Sequence, residues 1–118
     1  MYINFYSSIE GINTSFTKMD VSANNVANIN TDNYKRRVAE IHQDKNGHPR
    51  VNVTVDKTPG VEKPPLAGEP EASSKELSNV NYADEAVSMI EAQIGVKANV
   101  KALQTKGETL ASLIDIFV

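Results

Sequence analysis

The stretch Ser22–Arg37, "SANNVANINTDNYKRR", decides how the chain is organised. Asn occupies positions 24, 25, 28 and 30, and three basic residues follow at Lys35, Arg36 and Arg37. Asn is a poor residue for a helix interior because its side chain competes for backbone hydrogen bonds. It also accepts the left-handed conformation and bonds to nearby backbone, so a cluster of Asn can end a helix and satisfy its last carbonyls. "NTDNY", Asn30 to Tyr34, then reads as a turn. Asn24, Asn25 and Asn28 are different, because the helical period still runs through Ala23 and Val26 beside them. Amides on a helix face next to an apolar seam both donate and accept, which suits a polar interface with a neighbouring subunit.

Before this elbow, Tyr2, Phe5, Ile9, Ile12, Phe16, Met19, Ala23 and Val26 alternate spacings of three and four. That is the seam of a heptad pattern, and it predicts an amphipathic helix from about Phe5 to about Asn28. The far end of the chain repeats the pattern. Tyr82, Ala86, Met89, Gln93, Val96, Val100, Leu103, Gly107, Leu110, Ile114 and Phe117 keep the same spacing, and Val87, Ile90 and Ile94 widen the stripe in its first half. Asn81 is a fitting N-cap, with Asp84 and Glu85 in the first turn where the helix dipole favours anions. A helix over these residues would extend roughly 54 Å. Gly95 and Gly107 lie inside it, each costing about 1 kcal/mol relative to Ala. Gly107 is on the seam, where a partner could approach closely.

Between the helices, "RVNVTVD", Arg50 to Asp56, alternates with Val51, Val53 and Val55 on one side, as a half-buried strand does. Val38 to Ile41 reads as its weaker partner, and Asn46-Gly47 supplies a hairpin turn signal. From Lys57 to about Ser78 the prolines at 59, 64, 65 and 70 predict an extended tether with no element of its own. The organisation is therefore an N-terminal helix over residues 1–30, an elbow, hairpin and tether over 31–78, and a C-terminal helix over 79–118. The fold class is mainly α: two long helices pair as an antiparallel coiled coil and bury their seams against each other. A single helical hairpin leaves the widened stripe around Val87, Ile90 and Ile94 uncovered, and so asks for a further partner.

Composition narrows the function. The 118 residues carry a net charge of −3, which argues against a nucleic-acid partner, and the basic triplet stands alone in an acidic chain. There is no Cys, hence no disulfide framework and no thiolate metal site. No apolar run approaches the length of a membrane span, and the first residues lack the charge and continuous apolar core of a secretory signal peptide. His42 and His48 read as surface residues with no second ligand at metal spacing. No phosphate loop, dinucleotide fingerprint or nucleophile elbow is present. The reading is a non-enzyme with no catalytic residue, no cofactor, no metal and no small-molecule substrate.

The elbow carries a resemblance as well. Ala23, Asn24, Asn25, Val26, Ala27, Asn28 and Thr31, followed by Tyr34 and Lys35, resemble the N-terminal signature of the bacterial flagellar axial proteins, the rod, hook and hook-associated family. "SNVNYADEAVSMIEAQIGVKANVKALQT", Ser78 to Thr105, is similar to that family's C-terminal motif at Asn79, Val80, Glu85, Met89, Ile90, Ala92, Ala98, Asn99 and Thr105. Ile94, Gly95 and Val96 depart from it, standing where the family usually has a basic residue followed by an aromatic. The small insert between the helices resembles that of proximal-rod subunits, and the "NVN" and "ANVKAL" stretches resemble the C type among them.

The resemblance implies a structural subunit of the flagellar basal-body rod. Such a subunit packs by its terminal helices into the periplasmic drive shaft that carries torque from motor to hook. Its partners would be other rod subunits, copies of itself and, during secretion without a cleaved signal peptide, the flagellar type III export apparatus. The implied assembly interface comprises Ile9, Ile12, Phe16, Met19 and Ala23 on the first helix and Asn24, Asn25, Asn28 and Thr31 at the elbow. On the second helix it comprises Met89, Ile90, Ala98, Asn99, Leu103, Leu110 and Ile114. The competing reading is a cytoplasmic coiled-coil adaptor or chaperone-like hairpin that binds one protein partner.

Overall fold

A computed structural model describes residues 5–70 and 75–118. The elements in chain order are helix α1, Tyr6–Ala27, strands β1, Arg37–Gln43, and β2, Pro49–Val55, the short strands β3, Glu62–Lys63, and β4, Lys75–Glu76, and helix α2, Tyr82–Phe117. Both helices stand within a residue or two of the span that the periodicity predicts. Tyr2, the first seam position, lies outside the described residues. The N-cap forms as read: Asn81 Oδ1 accepts the Ala83 N–H at 2.9 Å. At the other end of α1 the Asn28 backbone N–H and its side-chain amide both donate to Asn24 O, at 3.2 and 2.8 Å, closing the helix.

The helices run in opposite directions. Ser8 meets Lys106, Ser15 lies over Gly95, and Lys18 pairs with Glu91. The surfaces that meet are not the apolar seams. On α1 the contact line is Ser8, Gly11, Ser15, Lys18, Ser22 and Asn25, and on α2 it is Glu85, Ser88, Ala92, Gly95, Asn99, Ala102 and Lys106. Each line keeps the three-four spacing, and each stands one residue before the predicted seam. One residue is a rotation of about 100°, so the expected coiled coil of apolar seams is corrected by a rotation of both helices. Phe16 is 50 % exposed and Ile9 47 %. The cause is close approach: a Cβ on Gly11 would lie 2.6 Å from Asn99 Oδ1, and one on Gly95 2.6 Å from Ser15 Oγ. Larger residues on this line would hold the backbones apart.

The β1–β2 hairpin is antiparallel, in register from Arg37↔Val55 to Gln43↔Pro49. It folds back along α1. Its tip reaches Glu10, where His48 Nδ1 lies 3.3 Å from Oε2 and Arg50 Nη1 lies 3.2 Å from Oε1, and the Tyr6 and His48 rings meet edge to face at 5.3 Å. The hairpin is less buried than its valine alternation implies, since Val53 and Val55 remain exposed. The turn also differs from a two-residue Asn-Gly turn, which needs positive φ at both residues. Here Asp44–Gly47 form a four-residue turn closed by the Gly47 N–H on Asp44 O at 2.9 Å, and only Gly47 has positive φ.

The tether contains an element after all. β3 and β4 pair antiparallel, Glu62 with Glu76 and Lys63 with Lys75. The reading from proline content misses it because each strand is two residues long, too short for a periodic signal. What holds it is side-chain chemistry: Glu76 Oε1 accepts from both Lys35 Nζ and the Gly60 N–H.

Candidate assembly interface

Helix directions decide which residues share a face. In two right-handed helices that run antiparallel, the positions one residue after the contact line turn to the same side of the pair. The apolar seams Ile9, Ile12, Phe16, Met19, Ala23 and Met89, Val96, Leu103, Leu110, Ile114 therefore form one surface. Met19, Met89, Ile90 and Gln93 line a shared groove on it. The hairpin covers the opposite side, over Glu10, Asn13, Thr14 and Thr17, which stand at or next to the positions one residue before the contact line. The layers are hairpin, helix pair and open apolar face.

That face is large because almost nothing apolar is covered elsewhere. Ala92 is the one hydrophobic side chain buried among the described residues. The other buried side chains are polar or charged: Ser8, Glu10, Thr14, Ser15, Ser22, Asn25 and Glu85. A chain of this size normally buries well over half of the surface that its unfolded form exposes, with a hydrophobic core inside.

The elbow is built by amides and ion pairs. Asn25 is 0 % exposed. Its Nδ2 donates to Arg37 O at 2.7 Å, and its Oδ1 accepts from the Arg37 N–H at 2.9 Å and from Tyr34 Oη at 3.1 Å. Asn33 takes φ +60° and pairs its backbone with Glu76. Asn79 Oδ1 accepts the Arg36 N–H at 2.6 Å, and its amide donates to Asp56 O and Thr58 O. Glu85, 1 % exposed, accepts from Arg36 Nε. The Glu76 carboxyl is held below its ordinary range, first by Lys35 and then by the Gly60 N–H, and the Thr58 hydroxyl and N–H do the same for Asp56.

The predicted interface residues thus divide. Ile9, Ile12, Phe16, Met19, Ala23, Met89, Leu103, Leu110 and Ile114 stand on the open face, with Ile90 at its edge. Asn25 lies inside the elbow, Asn99 lies against Gly11 in the helix contact, and Ala98 is on the side away from the open face. Asn24 bonds to Asp20 O, and Thr31 to Asn28. Sequence reasoning missed Arg36 and Glu85 as a pair. Glu85 reads as a dipole residue, and no local spacing links it to an Arg forty-nine positions away. Among the described residues no group of acidic or His side chains could hold a metal ion, and no helix is long and apolar enough to cross a membrane.

A thin helical pair with a polar inner contact and an open apolar face defines a structural subunit that packs by its helices. Comparison with known families agrees. Residues 5–35 match the family described as flagella basal body rod protein, and residues 73–116 match the flagellar basal body rod FlgEFG protein C-terminal family. Together the two matches cover more than half of the chain, in the order N-terminal then C-terminal. No individual curated protein matches it. The chain belongs to the flagellar basal-body rod family and is a structural rod subunit.

Proposed function

We infer that this subunit is a proximal-rod protein of the C type that enters the periplasmic drive shaft by burying its open apolar face against neighbouring rod subunits and copies of itself. The observation that carries this is the pairing of an apolar surface running along both helices with a single buried hydrophobic residue among the described residues. Such a chain gains most of its hydrophobic stabilisation only when others cover it. The small hairpin between the helices supports the proximal position. The elongated form, 83 × 25 × 14 Å, supports end-to-end transmission of torque. Passage through the flagellar type III export apparatus follows from the same reading, because a chain with so little core unfolds readily.

The open face defines the proposed contacts: Ile9, Ile12, Phe16, Met19 and Ala23 with Met89, Ile90, Leu103, Leu110 and Ile114. Asn28 and Thr31 stand beyond it at the elbow and Asn24 on the hairpin side of α1, all three outside the buried core. Asn25, Ala98 and Asn99 shape the subunit that presents this face.

Amide hydrogen exchange on the dilute chain and on assembled basal bodies tests the proposal. Faster exchange across residues 6–27 and 82–117 in the free chain, whose helices form but open readily, than in the assembly, where both are strongly protected, is the expected result. Strong protection of both helices in a dilute monomer or small discrete oligomer would favour a self-sufficient adaptor instead.

A further inference from the structure

We propose that Asn46 is a self-modification site at the hairpin tip, where its side-chain amide is lost by cyclisation onto the backbone nitrogen of Gly47. In this step the Gly47 nitrogen gives its proton to solvent base and attacks Asn46 Cγ. The bond from Cγ to Nδ2 breaks, and ammonia leaves. One water then opens the cyclic imide at either carbonyl, leaving aspartate or isoaspartate. No oxidant or reductant takes part.

Three observations select this Asn. Asn46 is exposed, and among the described residues no hydrogen bond engages its side-chain amide, a freedom it shares with Asn13, Asn30 and Asn52, whereas the amides of Asn24, Asn25, Asn28, Asn79 and Asn99 all donate to backbone carbonyls. It is the one Asn followed by Gly, so no Cβ hinders the attacking nitrogen. The space around Gly47 is open: apart from its chain neighbours, no atom of the described residues lies within 4 Å of where a Cβ would stand. One contact opposes the reaction: the Gly47 N–H donates to Asp44 O at 2.9 Å. That contact closes a solvent-exposed turn, where backbone hydrogen bonds open easily.

The change would reach beyond the tip. Isoaspartate adds a methylene to the backbone inside the turn, and either product places a carboxylate beside Asp44. Asp44 Oδ1 organises the turn by accepting from the N–H groups of Asn46 and His48 at 2.8 and 3.0 Å. His48 and Arg50, which the turn positions, are the residues that reach Glu10 on α1. Modification therefore loosens the docking of the hairpin on the helix. This inference does not rest on the assembly reading.

The test holds the purified full chain at mildly alkaline pH for days, with a urea-unfolded sample in parallel. Peptide mass spectrometry and labelling by isoaspartyl methyltransferase are the readouts. The expected result is conversion at Asn46 about tenfold faster than at any Asn followed by a larger residue. The isoaspartyl label should disappear in Asn46→Ser, and aged chains should show faster amide exchange in β1 and β2. An Asn46 that stays intact in the folded chain while the unfolded chain converts would show that the turn blocks the attack, and overturns the proposal. So would equal conversion at several Asn residues, or a label that persists in Asn46→Ser.

Discussion

Ser15 lies so close over Gly95 that a methyl group placed on the glycine would stand 2.6 Å from the serine oxygen. The hydroxyl cannot simply swing away, because it donates to Gly11 O at 2.8 Å. Gly95 is thus a point of contact between helices, whereas among the described residues nothing beyond its own helix backbone lies within 4 Å of the Cβ position of Gly107. The two glycines should respond oppositely to the same substitution. Gly107→Ala should raise helix stability by up to about 1 kcal/mol, the ordinary difference in propensity. Gly95→Ala should offset that gain by overpacking, which typically costs about 1–3 kcal/mol. Helical content and the urea midpoint by circular dichroism measure both. A stabilising Gly95→Ala would mean that the helices do not meet at this line.

The basic triplet separates in the same manner. Arg36 Nε donates to Glu85, which is almost entirely buried, while Arg37 takes part through its backbone and leaves its side chain outside. Removing one partner of a buried pair leaves an uncompensated charge, at a cost of about 3–5 kcal/mol. Arg36→Ala should therefore lower the urea midpoint strongly, and Arg37→Ala should leave it nearly unchanged. Glu85→Gln together with Arg36→Met should restore much of the loss. Equal effects from the two single changes would sink the assignment of Arg36 to the elbow.

Much of this architecture was legible in the residues. Heptad spacing marked both helices, Asn81 marked the start of α2, and the valine alternation marked the hairpin. The rotation of the helices was not legible, because each carries two complete three-four lines one residue apart. Apolar character picks out one line, but closeness of approach picks out the other. Ser8, Gly11, Ser15 and Gly95 are small enough to let the backbones meet, and sequence pattern alone does not weigh that against the hydrophobicity of Ile9, Phe16 and Met89. Asn25 reads in the sequence as an amide for a neighbouring subunit, whereas in the fold it serves Tyr34 and Arg37 of its own chain. Long-range partners such as Arg36–Glu85 leave no periodic trace.

Acid should loosen the elbow before it affects the helices. Glu76, Asp56 and Asp44 all have carboxyl groups held below their ordinary values. The chief partners are Lys35 for Glu76, the Thr58 hydroxyl for Asp56 and the His48 N–H for Asp44. A carboxylate whose pKa is depressed on folding contributes stability that is fully present above its unfolded value. That contribution is lost as the pH falls through the lower folded value. For Glu76 the loss should begin near its ordinary value of 4.5 and continue below it. Amide exchange of Gly60, whose N–H donates to Glu76, should accelerate over that window relative to amides in α2. Glu76→Gln should remove most of the pH dependence at Gly60. A Gly60 amide that keeps the same relative protection at all pH values would refute the link.

The open face makes the sharpest demand. Phe16 stands at its centre on α1, half exposed in the single chain, and Leu103 and Leu110 continue the same surface on α2. In the free subunit a carboxylate at position 16 meets water, so Phe16→Asp should leave the helical content of the dilute chain close to that of the parent. In the assembly the same carboxylate would be buried without a partner, which is strongly unfavourable. Rod assembly should therefore fail, and cells that make only this variant should be non-motile. Leu103→Asp and Leu110→Asp should behave alike. Glu40→Gln on the exposed hairpin surface serves as the control that should assemble normally. Intact flagella built from Phe16→Asp subunits would show that this face looks into solvent in the rod. A variant that fails because its free chain has lost helicity would be distinguished by circular dichroism on the same preparation.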